Sequence, residues 1–191
     1  MFPVEAFRST VAKIVEIFKK HSIPFHLTGG VTSTAYGEPR MTQDIDIVIG
    51  NEAVTGCLDS FLESLSKSDF MKSDAAIRKA VETKGMFQLL DDVESLKLDI
   101  YPRELVTGEL QRSEQLEVFD SMLLPIVSRA DAAVSKLIWI SKGSHKSRRD
   151  LRRIWETCNQ EEQRFISDLA DSMNLSNLLT EVIESPDEID G

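Results

Sequence analysis

The sequence predicts an α/β domain followed by a helical C-terminal portion, and three observations lead to this prediction. Apolar residues recur at helical spacing near the start of the chain, at Val4, Phe7, Val11, Ile14 and Phe18. Short apolar or alternating segments are typical of strands, and they occur at 25–28, 44–49 and 85–102. Beyond residue 128 the apolar spacing is again helical. With 191 residues, 41% of them hydrophobic, the chain can bury a substantial core.

Each element has a predicted start and end. The opening helix ends at Ile23-Pro24, and a brief helix over VTSTAY follows Gly29-Gly30 and ends near Gly37. A hairpin is predicted over GMFQLLDDVESLKLDIYP, with its turn at 91–94, and LLPIVS is a final short strand. Ser128, three residues before Asp131, resembles a capping box. Helical spacing also covers 53–66, 74–83, 129–142, 145–158, 161–173 and 177–183.

Three regions follow from these elements: an α/β domain at 1–127, a helical portion at 128–183 that closes over it, and a disordered acidic tail at 184–191.

The sequence contains no apolar run of about 18 residues and no signal-peptide pattern, so we expect a cytoplasmic protein with no membrane partner. Cys57 and Cys158 lie far apart without a CxxC spacing, which argues against a disulfide framework or a structural zinc site.

The charge of the chain is unevenly distributed. The formal net charge of −10 argues against a nucleic-acid partner, because lysine and arginine are the main ligands of backbone phosphates. Between residues 128 and 155, however, eight basic residues accompany two acidic ones, and from residue 156 onward ten acidic residues accompany one arginine. The basic segment is compatible with RNA binding and equally with a solvated helix face.

Two carboxylates occupy alternate positions of an otherwise apolar strand. Side chains alternate along a strand, so Asp44 and Asp46 point to one face while Ile45, Ile47 and Ile49 point to the other. Two like charges this close are costly unless a cation, a proton or solvent relieves them. Mg²⁺ suits such a site, since it prefers carboxylate oxygens and keeps positions for water and phosphate. The alternative is an edge strand with a solvated acidic face.

A third carboxylate and a glycine pair complete the candidate site. In the second strand of the hairpin, Asp99 shares a face with Lys97 and Tyr101. If the two aspartate-bearing strands are neighbours, three carboxylates can converge and hold two metal ions. Gly29 and Gly30 let the backbone approach a triphosphate, and the helix that follows offers free N–H donors. Asp99 could instead be a solvated surface residue, and the glycine pair a simple turn.

The string GGVTSTAYGEPRMTQDID resembles the nucleotidyltransferase superfamily that includes DNA polymerase beta. The matching features are a glycine pair, thirteen intervening residues, Asp-Ile-Asp and a later strand aspartate. Its Arg-x-Thr-x-Asp-hydrophobic-Asp segment is similar to the bacterial branch of abortive-infection nucleotidyltransferase toxins. The resemblance covers residues 25–101, and it implies a nucleotidyltransferase fold with a mixed, mostly antiparallel sheet, helices on one face, and the helical portion closing a nucleotide cleft.

The resemblance also implies which residues form the site. The catalytic and metal-binding carboxylates would be Asp44, Asp46 and Asp99, with two Mg²⁺ ions or Mn²⁺. The nucleotide- and phosphate-binding residues would be Gly29, Gly30, Arg40, Thr42, Lys136 and Asp150. Arg40 and Thr42 could equally be loop residues, and Asp150 could form a surface ion pair with Lys146 or Arg153.

The reaction that the resemblance implies is transfer of a nucleoside monophosphate from an NTP to an acceptor hydroxyl, with release of pyrophosphate. The basic helices favour tRNA as acceptor, in a toxin paired with a cognate antitoxin. A protein hydroxyl and an aminoglycoside-type small molecule are the alternatives, the latter favoured by an acidic cleft. A different interpretation is a catalytically silent module that binds a nucleotide or a protein partner.

Other residues receive no functional role from the sequence. Trp139 and Trp155 fall at apolar helical positions and are predicted to be core residues rather than base-stacking ones. The three histidines are scattered and do not suggest a metal site. Arg148 and Arg149 belong to the basic segment without a defined role.

Overall fold

The described residues fold around one mixed sheet. The computed structural model describes residues 4–36, 44–119 and 122–185. The strands are β1 (Phe25–Thr28), β2 (Asp44–Ile49), β3 (Phe70–Met71), β4 (Phe87–Asp91), β5 (Leu96–Tyr101), β6 (Glu114–Phe119) and β7 (Met122–Ile126). Their order is β3-β4-β5-β2-β1-β7-β6, with β5–β2 and β1–β7 parallel and the other pairs antiparallel. The predicted mixed, mostly antiparallel sheet is confirmed.

The helices largely follow the predicted periodicity. They are α1 (Val4–Lys20), α2 (Gly30–Tyr36), α3 (Asn51–Gly56), α4 (Leu58–Ser66), α5 (Asp74–Thr83), α6 (Arg129–Ser141), α7 (Lys146–Thr157), α8 (Gln160–Ser172) and α9 (Ser176–Glu184). The single helix predicted over 53–66 is wrong, because Cys57 leaves the helical conformation with φ −125° and divides it into α3 and α4. Glu184 ends α9 rather than starting a tail. Gly37, Arg40, Thr42 and residues 186–191 lie outside the described residues.

One face of the sheet forms the hydrophobic core. Leu27 lies opposite Ile47, and Ile47 lies opposite Ile100, so that each strand contributes a side chain with no exposed surface. Helix α1 packs on this face through Phe18, whose ring centroid lies 5.2 Å from that of Phe25. The isoleucine face of β2 is therefore packed, as its alternation predicts.

The C-terminal helices pack together and contact the start of the chain through α2. Helix α6 packs against α7 and α8, while α9 contacts α7 and α8. Ser128 caps α6, since its Oγ accepts the N–H of Asp131 at 3.2 Å. Helix α2 contacts both α6 and α7, so the division of the chain at residue 128 stays a prediction. None of the described helices combines the length and apolarity needed to cross a bilayer.

Two features of the sheet differ from the prediction. The two-residue β3 is too short for a sequence pattern, and β6 has the sequence EQLEVF, whose glutamates obscure its strand character. The predicted turn at 91–94 is wrong in its first residue, because Asp91 is the last residue of β4 and fully buried. Its carboxylate accepts hydrogen bonds from Thr10 Oγ1 at 2.7 Å and from Lys13 Nζ at 3.1 Å. Strand alternation cannot reveal that α1 supplies a cation to this position.

Asp91 is expected to be a major source of stability. Replacing it with alanine removes the acceptor for Thr10, Lys13 and the backbone N–H groups of Val93 and Glu94. Breaking a buried pair of this kind costs about 3 to 5 kcal/mol, so the free energy of unfolding of Asp91→Ala should fall by that amount in urea titrations. Asp92→Ala, in the adjacent exposed turn, is the control. Equal stabilities for the two variants would contradict this account.

Candidate functional site

A pocket of about 350 Å³ lies on the face of the sheet opposite the apolar core. Its walls come from β1, β2, β5, the segment 102–113 and the helices α6 and α7. Its size lies within the range of small-molecule ligand sites. The lining residues are Thr28, Gly29, Gly30, Asp44, Asp46, Val48, Asp99, Tyr101, Arg103, Leu105, Glu109, Ser135, Lys136, Trp139, Ser144, Lys146 and Ser147.

The sheet brings the three predicted carboxylates to this one pocket. Strands β2 and β5 are parallel neighbours, with Asp46 opposite Asp99 and Asp44 opposite Lys97. Asp46 Oδ1 accepts a hydrogen bond from the Tyr101 hydroxyl at 3.3 Å, and Asp99 Oδ1 accepts one from Gln88 Nε2 at 3.0 Å. Residues more than 50 positions apart in sequence therefore converge through a single strand pairing.

Lys97 supplies a cation to two of these carboxylates. Its ammonium lies 3.2 Å from Asp44 Oδ1 and 3.4 Å from Asp99 Oδ2. Within 4–36, 44–119 and 122–185, no three acidic, histidine or cysteine side chains are arranged to hold a metal ion. The oxygen donors nevertheless suit a hard divalent cation, and a positive charge already lies between two of them. A metal ion bound to these two oxygens would compete with the Lys97 ammonium.

The electrostatics of the pocket disfavour charge on Asp46. Burial and the neighbouring Asp99 carboxylate raise the pKa of Asp46 above its ordinary value, while the Tyr101 hydrogen bond partly offsets them. Burial and the charge of Asp46 likewise raise the pKa of Tyr101, which keeps its hydroxyl protonated as a donor. The hydrogen bond from the neutral Tyr101 hydroxyl therefore offsets only part of what opposes a negative charge on Asp46.

The glycine turn follows β1 and approaches Asp46 closely. Thr28 lies opposite Asp46 in the β1–β2 pair, and the next residue, Gly29, has a φ of +67°. A Cβ at Gly29 would lie 1.9 Å from Asp46 Oδ2, so no side chain fits there. The Gly29 carbonyl accepts hydrogen bonds from Thr32 Oγ1 at 2.7 Å and from Lys136 Nζ at 3.3 Å.

Lys136 connects this turn to the helical portion. Its side chain is 8% exposed, and its ammonium also donates to Ser33 Oγ at 3.3 Å and to Asp150 Oδ2 at 2.7 Å. Asp150 lies on α7 with its side chain only 10% exposed, so it is more than a surface ion-pair residue. The two residues that the resemblance singles out downstream therefore meet each other at the pocket wall.

The basic segment is partly neutralised by the acidic helices that follow it. Arg148 pairs with Glu181 of α9 at 2.9 Å, and Arg129 pairs with Glu162 of α8 at 3.4 Å. Lys146, in contrast, is exposed and lines the pocket. The positive charge that the sequence offers for RNA is thus smaller than the residue count suggests.

The tryptophans differ in their surroundings. Trp155 is partly buried and packs against the core, as predicted. The prediction for Trp139 is wrong, because this residue is 39% exposed and lines the pocket. Its neighbours in the sequence are apolar, and periodicity alone cannot show that α6 turns this position toward the pocket.

The segment 102–113 contributes residues that the sequence does not single out. Arg103, Leu105 and Glu109 line the pocket, and Glu109 is 1% exposed. The pKa of Glu109 is raised to about 7, chiefly by burial and also by the charges of Asp131 and Glu104, while the hydrogen bond that it accepts from the Leu105 N–H at 2.8 Å lowers it. No periodicity or motif marks this segment, so only the tertiary structure reveals it.

Comparison with known proteins identifies related families and folds. Residues 16–171 match the family model described as nucleotidyl transferase AbiEii toxin, type IV TA system. The structure of the antibiotic-resistance factor ANT(2'')-Ia in solution is similar, with a TM-score of 0.59 and 14% identity over 95% of this chain and 99% of that one. A crystal structure of ANT(2'')-Ia with adenylyl-2''-tobramycin gives a TM-score of 0.57 and 16% identity over 87% and 97% of the chains.

Lincomycin-bound LnuA, a lincosamide antibiotic adenylyltransferase, has a TM-score of 0.50 and 13% identity over 82% of this chain and 99% of that one. At these identities the likeness concerns the fold. No curated protein sequence is significantly similar to this chain.

Gly29→Ala should damage both stability and the site. The new Cβ would displace the Asp46 carboxylate in addition to straining a left-handed backbone, which by itself costs about 1 to 2 kcal/mol. Gly143→Ala is a matched control, since Gly143 has a φ of +95° with open space around its Cβ position. Urea unfolding and nucleotide binding should both be impaired more by Gly29→Ala. Equal effects of the two variants would show that the close approach to Asp46 is unimportant.

Glu109 should make stability depend on pH. Its folded-state pKa is raised, so its favourable contribution is complete below an ordinary value of 4.5 and is lost as the pH rises through about 7. Glu109→Gln keeps a carbonyl to accept the Leu105 N–H but cannot ionise. The variant should therefore gain on the order of 3 kcal/mol relative to the wild type between pH 5 and pH 9.

Urea titrations across this range measure the difference. Glu104→Gln is the control, because Glu104 accepts the N–H groups of Gly108 and Leu110 in the same segment but does not line the pocket. A pH-independent difference for Glu109→Gln would contradict the assignment.

Proposed function

This chain belongs to the AbiEii family of nucleotidyltransferase toxins, and on that premise we propose that it transfers a nucleoside monophosphate from an NTP to an acceptor hydroxyl, releasing pyrophosphate. The observation that carries the proposal is the pairing of Asp46 with Asp99 beside the Gly29 turn and Lys136, all within one pocket. Acidic groups on one wall and a buried ammonium on the other suit a substrate with a reactive, negatively charged phosphate chain.

The triphosphate is proposed to lie against the glycine turn. At Gly29 and Gly30 the backbone is free of Cβ atoms on the pocket side, which permits close contact with phosphate oxygens. Lys136 is held at this turn by the Gly29 carbonyl and Ser33, so its ammonium is positioned before substrate arrives. Such preorganised charge is the main resource of phosphoryl-type transfer enzymes. Asp150 would orient Lys136 and reduce the cost of burying its charge.

Asp44, Asp46 and Asp99 are proposed to hold divalent metal, Mg²⁺ or Mn²⁺, with two ions as the expected number. When bound, such ions neutralise phosphate charge and stabilise the attacking and leaving oxygens. Lys97 would maintain the carboxylates in one place until then. The proton of the acceptor hydroxyl is assigned to a carboxylate oxygen of Asp99, which faces the pocket and is anchored by Gln88.

The favoured acceptor is tRNA, within a toxin paired with a cognate antitoxin in the cytoplasm. Exposed Lys146 at the pocket and Arg103 on its wall support a phosphate-bearing acceptor. The second candidate is a cationic small molecule. Three aspartates and Glu109 line the pocket, and the basic helix α7 is partly neutralised by α9, both of which favour a positively charged acceptor. ANT(2'')-Ia, which shares the fold, has been captured with an adenylylated tobramycin.

Transfer of radiolabel from each α-labelled NTP to total tRNA, to lysate protein and to tobramycin tests the proposed function. Asp44→Asn and Asp46→Asn should each reduce transfer by about 10²- to 10³-fold, because neither amide can supply the negative charge that binds metal. Asp92→Asn, an exposed aspartate outside the pocket, should transfer at the wild-type rate. Unimpaired transfer by either pocket variant would refute the assignment, and nucleotide binding without transfer to any acceptor would favour a silent module.

A further inference from the structure

Trp139 is unusual among the apolar residues of α6. Buried side chains include Val134, Leu137 and Ile140 of the same helix, whereas the indole of Trp139 is 39% exposed. The indole lines the pocket rather than the core. Leaving part of a large aromatic ring in water forgoes part of the free energy of burying it. A ligand that covers the ring would recover that energy.

A lysine side chain lies over the face of the ring. The ammonium of Lys142 lies 5.2 Å from the ring centroid, so the neighbour of the indole on this face is a flexible, solvated side chain. Lys142 is exposed and can move aside at little cost. A planar aromatic ligand can therefore stack on the indole without repacking the core.

The position of Trp139 relative to Lys136 indicates which part of a ligand it would meet. The two residues are three positions apart on α6, so their side chains are neighbours on one face of the helix, roughly 5 Å apart along its axis. Lys136 contacts the glycine turn, where the triphosphate is proposed to lie. The next group along a nucleotide from its phosphates is the sugar and then the base. Trp139 is therefore within reach of the sugar or base of a nucleotide whose phosphates contact the glycine turn.

We propose that Trp139 is the stacking platform for the nucleobase of the bound NTP. The inference rests on the proposed function, since it assigns the base end of the same nucleotide. Stacking involves the π face that every base possesses, and it does not depend on the hydrogen-bonding edges by which the bases differ. Trp139 would thus strengthen binding of all four NTPs, with purines favoured by their larger rings.

Comparison of ATP with inorganic tripolyphosphate tests the proposal directly, because the two share the phosphate chain and differ in nucleoside. Isothermal titration in the presence of Mg²⁺ should show that Trp139→Ala weakens ATP binding about tenfold or more and leaves tripolyphosphate binding unchanged. Trp139→Phe, which keeps an aromatic face, should retain part of the affinity. Trp155→Phe is the matched control and should bind both ligands like the wild type.

Fluorescence provides a second measurement on the folded protein. The chain has two tryptophans, so Trp155→Phe leaves Trp139 as the one indole emitter. ATP should quench its emission and tripolyphosphate should not, whereas Trp139→Phe should show no quenching by ATP.

The outcomes separate this proposal from the function on which it rests. Tight tripolyphosphate binding together with ATP binding that is indifferent to Trp139→Ala would overturn the stacking proposal and leave the phosphate site standing. Equal weakening of both ligands by Trp139→Ala would also overturn it, since the effect would then concern the phosphates or the fold. Absence of binding by both ligands would overturn the nucleotide site itself, and the stacking proposal with it.

Discussion

The candidate site depends on the parallel pairing of β2 with β5, which holds Asp46 directly opposite Asp99. This pairing forces two carboxylates together in a partly buried place, where burial and the neighbouring Asp99 charge raise the pKa of Asp46. The surrounding residues compensate: Lys97 contacts Asp44 and Asp99, Tyr101 donates to Asp46, and Gln88 donates to Asp99. The opposite face of the same strands supplies the core, so the sheet that stabilises the protein is also the element that concentrates negative charge.

A second constraint links the sheet to the helices. The Gly29 turn can pass over Asp46 only because it lacks a Cβ, and its carbonyl accepts a hydrogen bond from Lys136 of α6. Lys136 in turn binds Asp150 of α7. One buried ammonium therefore links a strand end and two helices at the wall of the pocket.

Much of the fold and the central part of the site could be predicted from local patterns. The alternation of β2 and β5 correctly places Asp44, Asp46 and Asp99 on one face, because strand geometry has a fixed period of two. Helical periodicity locates most helices, but it cannot reveal the break at Cys57 or the burial of Asp91, which depend on local conformation and on a partner from α1. Glu109, Arg103 and the exposure of Trp139 could not be predicted, since each reflects how the segment 102–113 and α6 pack in three dimensions. Arg40 and Thr42 lie outside the described residues, and their roles stay predictions.

The position of Lys97 has a consequence for how the protein exists between encounters with substrate. An internal counterion already balances two of the three acidic groups, so the polypeptide can complete its folding without capturing an ion from the medium. Addition of a chelator should therefore leave the folded protein intact.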